Sequence, residues 1–222
     1  MCNAYQVTTN QQAITDLIKG WSWRQRVSNQ PILPGIWKNY RAPIVRLVDD
    51  QLELDDALWG MPTPEEHLVT KTGKKMLYDP GVTNIRHTHF KHWQPWLGPE
   101  HRCLVPFIRF SEPDAAHKNH YFDFVDGREV SFMAGVCDVL TRQIRAKDPE
   151  PTTGRFYGFL TTKANDTVGA IHSKAMPVIL TEPDEWRTWL TADWPTAKAL
   201  QRPLSEGLLR STPAELAPVD EA

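Results

Sequence analysis

At 222 residues and 41% hydrophobic, the chain can bury a full core as a single domain, and a net charge of −2 excludes a globally basic nucleic-acid coat while leaving room for a local basic groove. Three cysteines, Cys2, Cys103 and Cys137, form no Cys-x-x-Cys pair and leave an odd count, which argues against a disulfide framework or a thiolate zinc site. No apolar run approaches the ~18 residues of a membrane helix and no secretory signal pattern opens the chain, so the expectation is a cytoplasmic protein with no membrane partner, lying near the nucleoid if the cell is bacterial.

Residues 11–19 carry Ala13, Ile14, Leu17 and Ile18 at helical spacing, with Gly20 as the stop, and predict a short amphipathic helix. The next twenty residues are aromatic and irregular, and Pro31, Pro34, Gly35 and Pro43 are expected to break any regular element. Strand-like runs follow at 44–48, 103–110, 121–125, 130–136, 156–162 and 177–180. Asp126-Gly127 reads as the turn of a hairpin joining the third run to the fourth. Helices are expected over 163–171, over 181–190 and over 195–201. In the second, Thr181 is the expected cap, with Pro183 in the first turn and Asp184 three residues past the cap. From about Arg210 the chain turns rich in Pro, Glu and Ala, which places a domain at 2–209 and a flexible tail at 210–222. Strands that follow strands without alternating helices predict an α+β protein: one β-rich, mainly antiparallel domain with peripheral helices.

The most informative single residue is Cys2. Removal of Met1 would leave it with a free α-amine beside its thiol, and such a 1,2-aminothiol condenses with an aldehyde to a five-membered thiazolidine. The amine titrates at about 7.7–8.0 and the thiol at about 8.5 in reference compounds, so both are usefully nucleophilic near neutrality. On its own, Cys2 reads as a small residue tolerated behind the start.

A series of short blocks sets Cys2 in context: Met1-Cys2-Asn3-Ala4-Tyr5, Ala42-Pro43-Ile44-Val45, Trp59-Gly60-Met61-Pro62, Thr83-Asn84-Ile85-Arg86, Arg102-Cys103-Leu104-Val105-Pro106, Phe110-Ser111-Glu112, Leu160-Thr161-Thr162 with Ala164-Asn165, and Ile171-His172 through Met176-Pro177-Val178-Ile179-Leu180. Each is weak alone, but in this order, behind a cysteine at position 2, they resemble the SRAP family, the SOS-response-associated peptidase-like proteins. The blocks run from residue 2 to about residue 180. The resemblance implies a twisted, mainly antiparallel sheet or open barrel. It also implies a monomer that needs no cofactor, and a role in binding single-stranded DNA and capturing the ring-opened aldehyde of an abasic site as a stable thiazolidine on Cys2.

The same resemblance supplies roles. Glu112 and His172 match the family's acid/base pair: a glutamate partly desolvated in a groove is pushed towards working pH, and histidine already titrates there. Glu112 is expected to exchange protons with the Cys2 amine and the intermediate, and His172 to assist sugar opening. Asn84 and Arg86, at i and i+2 of an extended segment, point to one face. The amide would hold the lesion sugar or Cys2, and the guanidinium would grip a phosphate, although Arg86 without the resemblance reads as a surface ion pair. Lys174 occupies a region where the family often has arginine. Trp59 is the expected stacking platform for a base, with a core role as the alternative. Arg41 supplies further charge.

Four departures rearrange the expected DNA grip. The usual Cys-Gly-Arg start is Cys2-Asn3-Ala4, the frequent Glu-Trp pair is Glu112-Pro113, the Asn-x-Ala-Pro block is Tyr40-Arg41-Ala42-Pro43, and His172 to Pro177 is one residue longer than the common spacing. His87, His89, His92 and His101 crowd one stretch, but no carboxylate lies at a recognisable metal spacing, so a polar connector is favoured over a metal site. The rival functions are an N-terminal-nucleophile cysteine peptidase or amidase, using the Cys2 amine as its own base, and a DNA-binding module without chemistry. Autoproteolytic exposure of Cys2 is a further activity the resemblance carries, though ordinary methionine removal suffices here.

Overall fold

A computed structural model describes residues 2–7, 11–26, 35–70 and 72–214. In chain order the elements are β1 (Ala4–Gln6), α1 (Gln11–Ile18), β2 (Trp23–Gln25), β3 (Ile36–Trp37), β4 (Arg41–Val48), β5 (Gln51–Trp59), β6 (Asn84–Ile85), β7 (Arg102–Phe107), β8 (Arg109–Pro113), β9 (Asn119–Phe124), β10 (Ser131–Arg142), β11 (Thr152–Thr162), α2 (Asp166–Gly169), β12 (Met176–Pro177), β13 (Ile179–Leu180), α3 (Pro183–Thr191), α4 (Trp194–Lys198) and β14 (Leu209–Pro213). Strands β11, β10, β7, β4 and β5 lie side by side in that order. A parallel pairing of Leu58 with Phe156 and of Trp59 with Tyr157 joins β5 back to β11 and closes a five-stranded barrel. The other pairings around the ring are antiparallel. The expected β-rich, mainly antiparallel fold is therefore what forms, with its barrel closed.

A second sheet runs β14-β9-β8-β1-β3. Tyr5 of β1 packs edge-on against Trp59 and Phe159 of the barrel, with centroids 5.2 and 6.1 Å away, so one continuous core underlies both sheets. The apolar run at 103–110 is not one strand: it breaks at Ile108, whose amide donates to the Gln6 carbonyl, and the chain passes there from barrel to second sheet. The Asp126-Gly127 turn makes the opposite crossing. Gly127 supplies the positive φ of 74°, but β9 pairs with β8 and β14 while β10 pairs with β7, β11 and β13, so the expected hairpin is corrected to a connection between sheets.

Other expectations are also corrected. Pro43 lies inside β4, opposite Asp56. It is accommodated because β7 pairs with β4 only at Val45 and Arg46, which leaves the proline beyond that ladder. Strand β5 was not expected at all. Asp49 and Asp50, both at positive φ (50° and 58°), form the two-residue turn that folds it onto β4. The helix expected over 163–171 shrinks to α2, which Asn165 caps by accepting from the Val168 amide. The cap of α3 is Glu182 rather than Thr181, and Glu185 rather than Asp184 closes the capping box by accepting from the Glu182 amide. The 210–222 tail begins too early, because Arg210 to Pro213 continue β14 along β9 and Arg210 pairs with Asp123 at 2.7 Å. Pro31, Pro34 and residues 215–222 lie outside the described residues.

Helix α3 docks on the barrel through its tryptophans. Trp189 Nε1 donates to the carbonyls of Cys103 and Gly135, at 3.0 and 3.1 Å. Gly135 is required there, since a Cβ would fall 2.8 Å from both Cys103 Sγ and Val105 Cγ2. Buried Arg102 donates to the carbonyls of Leu97, Trp189 and Ala192 and lies over the Trp189 ring, tying α3 to the start of β7.

Candidate active site at the amino-terminal strand

Strand β1 is an interior strand, with Ala4 opposite Ser111 of β8 on one side and opposite Trp37 of β3 on the other. That pairing draws Cys2 inward until it is only 1% exposed. Its Sγ donates to the Ala4 carbonyl at 3.2 Å. Ser111 Oγ donates to Asn3 Oδ1 and to the Ala4 carbonyl, at 3.1 and 3.3 Å, and secures the turn into the strand.

Asn84 arrives from the barrel side. Strand β6 is two residues long and runs parallel to β11, with Asn84 opposite Phe159. The Asn84 amide Nδ2 donates to the Cys2 carbonyl and to Thr83 Oγ1, both at 2.8 Å. Its Oδ1 is buried and accepts no hydrogen bond among the described residues, an acceptor left open beside the cysteine.

Glu112 is fully buried on β8, and burial pushes its carboxyl up to about 7. At neutral pH it therefore stands near half ionisation, the state from which a group can both take and return a proton. His172 follows α2, where its amide donates to the Val168 carbonyl. Its Nε2 is 3.8 Å from Glu112 Oε2, too far for a direct hydrogen bond. Burial holds the imidazole below the ordinary histidine range, so it is mostly neutral at pH 7. The Cys2 thiol is raised well above its usual range, first by burial and then by the Glu112 carboxylate; it needs a nearby base to become nucleophilic. The four expected catalytic residues Cys2, Asn84, Glu112 and His172 thus share one buried corner where the second sheet meets the barrel.

The expected DNA contacts fare differently. Trp59 is corrected: its side chain is fully buried, stacked on Phe159 at 5.2 Å and hydrogen-bonded through Nε1 to the Thr83 carbonyl. No base can reach it. Its indole instead steadies the segment that carries Asn84. The guanidinium of Arg86 is half-buried and spends Nη1 on the carbonyls of Thr162 and Lys174, at 2.9 and 2.6 Å. Those bonds pin the loop after His172 to the end of β11. Lys174 is exposed on that same loop. Arg41 is half-exposed and pairs with Asp56 at 2.8 Å.

Among the histidines, His87 and His89 lie with rings 5.6 Å apart on an exposed turn, while His92 bonds the Pro62 carbonyl. Among the described residues no group of three or more His, Cys, Asp or Glu side chains is arranged to hold a metal. Two site features went unread in the sequence. One is Ser111, visible there only as the middle of Phe110-Ser111-Glu112. The other is a hydroxyl pair between Tyr5 and Tyr157 beneath the site, which no local pattern announces because the partners are 152 residues apart.

Residues 1–221 match a family model described as SOS response associated peptidase (SRAP). A search of curated protein sequences finds no significant match. Among solved structures, a protein from Bordetella bronchiseptica superposes with a TM-score of 0.70 at 20% identity, covering 97% of this chain and 100% of its own. One from Bacteroides thetaiotaomicron gives 0.67 at 20%, over 95% and 90%. A phage-related protein from Bordetella bronchiseptica gives 0.66 at 19%, over 96% and 94%. At these identities the likeness speaks for the fold.

Proposed function

The chain belongs to the SRAP family, which ties it to the response to DNA damage, and on that premise we propose that it binds single-stranded DNA in the cytoplasm and captures abasic sites covalently through Cys2. The observation that supports this reading most is the buried corner itself. A thiol too basic to ionise alone lies against an asparagine, a carboxyl brought to about 7 and a neutral histidine 3.8 Å from that carboxyl.

The chemistry starts when Met1 is removed and the Cys2 amine is free. The amine nitrogen adds to the aldehyde carbon of the opened sugar, and water leaves as the imine forms. The sulfur then adds to the same carbon while its proton passes to the imine nitrogen. One water is lost overall and a thiazolidine remains. Glu112, near half ionisation, relays these protons: it takes one from the thiol or amine and returns one to the departing hydroxyl. His172, neutral at working pH, withdraws the hydroxyl proton that keeps the sugar in its closed form. Asn84 fixes the Cys2 carbonyl, and its open Oδ1 accepts from the amine or from a sugar hydroxyl. The phosphates are met by Lys174, on the loop that Arg86 holds in place.

The test combines purified protein of measured intact mass, confirming loss of Met1, with single-stranded DNA carrying one abasic site. A denaturation-resistant adduct is expected with the wild type, none with Cys2→Ala and none with undamaged DNA. An adduct that persists in Cys2→Ala, or its absence from trimmed wild-type protein, overturns the reading.

A further inference from the structure

Trp37 and Tyr40 are aromatic side chains that the fold leaves in the open beside the nucleophile. Trp37 is 46% and Tyr40 44% exposed, and their rings meet edge-to-face with centroids 5.5 Å apart. The Tyr40 amide donates to the Trp37 carbonyl at 2.9 Å, which closes the turn between them. Asn39, at a positive φ of 65°, lets the chain reverse there, and its amide is anchored to the Trp59 carbonyl. Register fixes the location: Trp37 pairs with Ala4, two residues from Cys2, and directly opposed residues share a face of the sheet.

The indole is also held in place rather than loose. A Cβ on Gly35 would fall 2.6 Å from the Trp37 ring, so the indole packs against a stretch of backbone that only glycine leaves bare. A rigid, half-open aromatic face is what a nucleobase stacks on, since every base offers a π-face whatever its sequence. Lys38, exposed, stands between the two in the sequence and Arg41, half-exposed, follows directly; their charge suits the phosphates that accompany a stacked base. An abasic site supplies no base of its own, so a protein gripping it in a flexible strand must hold the nucleotides on either side.

We propose that Trp37, braced by Tyr40, is the stacking surface for the base that neighbours the captured abasic site. The assignment rests on the reading of Cys2 as the crosslinking residue, and it fills the place that Trp59, being buried, leaves empty.

The experiment titrates labelled, undamaged single-stranded oligonucleotide by fluorescence anisotropy at several salt concentrations, alongside the adduct assay on abasic DNA. Trp37→Ala is expected to weaken binding about ten-fold or more, with an unchanged slope of affinity against salt because no phosphate contact is lost. Trp37→Phe, which keeps a stacking ring, is expected to recover most of the affinity, and Tyr40→Ala to show a smaller loss. Melting curves of each variant confirm the fold. Wild-type affinity in Trp37→Ala overturns the proposal, as does a loss that Trp37→Phe does not relieve, or a wild type that does not bind single strands. Should the wild type bind and depend on Trp37 yet form no adduct, the stacking surface stands and the crosslinking function falls.

Discussion

Glu112→Gln should separate the needs of chemistry from those of folding. The side chain is fully buried, and its carboxyl rises from 4.5 to about 7 because burial penalises the charge. At about 1.36 kcal/mol per pH unit, a rise of about 2.5 units corresponds to about 3 kcal/mol. The sign follows from proton linkage. Between pH 4.5 and about 7 the folded protein holds this proton and the unfolded chain releases it, so wild-type stability falls as pH rises through that window. Below it both states are neutral and nothing is lost; above it the full penalty is present. The amide variant carries no charge to bury. At pH 8 it should melt about 6–12 °C above the wild type, from about 2–4 °C per kcal/mol for a chain of this size. At pH 4 the two should melt together. Scanning calorimetry at half-unit pH steps measures the gap, while the adduct assay follows the loss of crosslinking in the variant. A gap that stays constant from pH 4 to pH 8, or a variant less stable at pH 8, refutes the argument.

Other substitutions probe the surroundings. Asn84→Ala removes the donor to the buried Cys2 carbonyl; denaturant melts should show a loss of about 1–3 kcal/mol, and adduct formation should slow with little change in affinity for undamaged DNA. Trp59→Ala should destabilise by about 3–5 kcal/mol in thermal melts, and at temperatures where it stays folded it should bind undamaged strands as the wild type does. Gly135→Ala drives a methyl into Cys103 and Val105 and should cost about 1–3 kcal/mol in chemical denaturation, without altering the pH dependence of crosslinking.

What could be read in advance divides along physical lines. Strands such as β4 and β11 announce themselves through β-branched and aromatic runs. Strand β5 lacks such a run and carries only the alternation of Leu52 and Leu54 with Glu53 and Asp55, the period of a half-buried strand. Those carboxylates are buried, matched by Arg46 at 2.6 Å from Glu53 and Arg155 at 2.9 Å from Asp55, and a pattern that looks half-solvated is in fact interior. The Asp126-Gly127 turn was legible as a turn but not as a change of sheet, since nothing local tells a chain which partner it will meet next. Cys2, Asn84, Glu112 and His172 were legible only through the ordered blocks of a family, because their meeting is made by pairings between distant segments. Trp59 misled for a related reason: composition reveals an abundance of tryptophan, not which indole faces water. Among the described residues Trp37 and Trp23 are the most exposed indoles.

The position of β1 between β3 and β8 bears on how the protein is made. Gln6 meets Arg109, 103 residues later in the chain, so β1 has no neighbour on that side until those residues have been made. At about 5–20 residues per second that wait lasts roughly 5–20 s. During it β1 has no β8 to pair with, whereas in the finished fold Cys2 is buried. Burial of Cys2, and with it the assembly of the corner that holds Asn84 and Glu112, therefore waits on the arrival of β8.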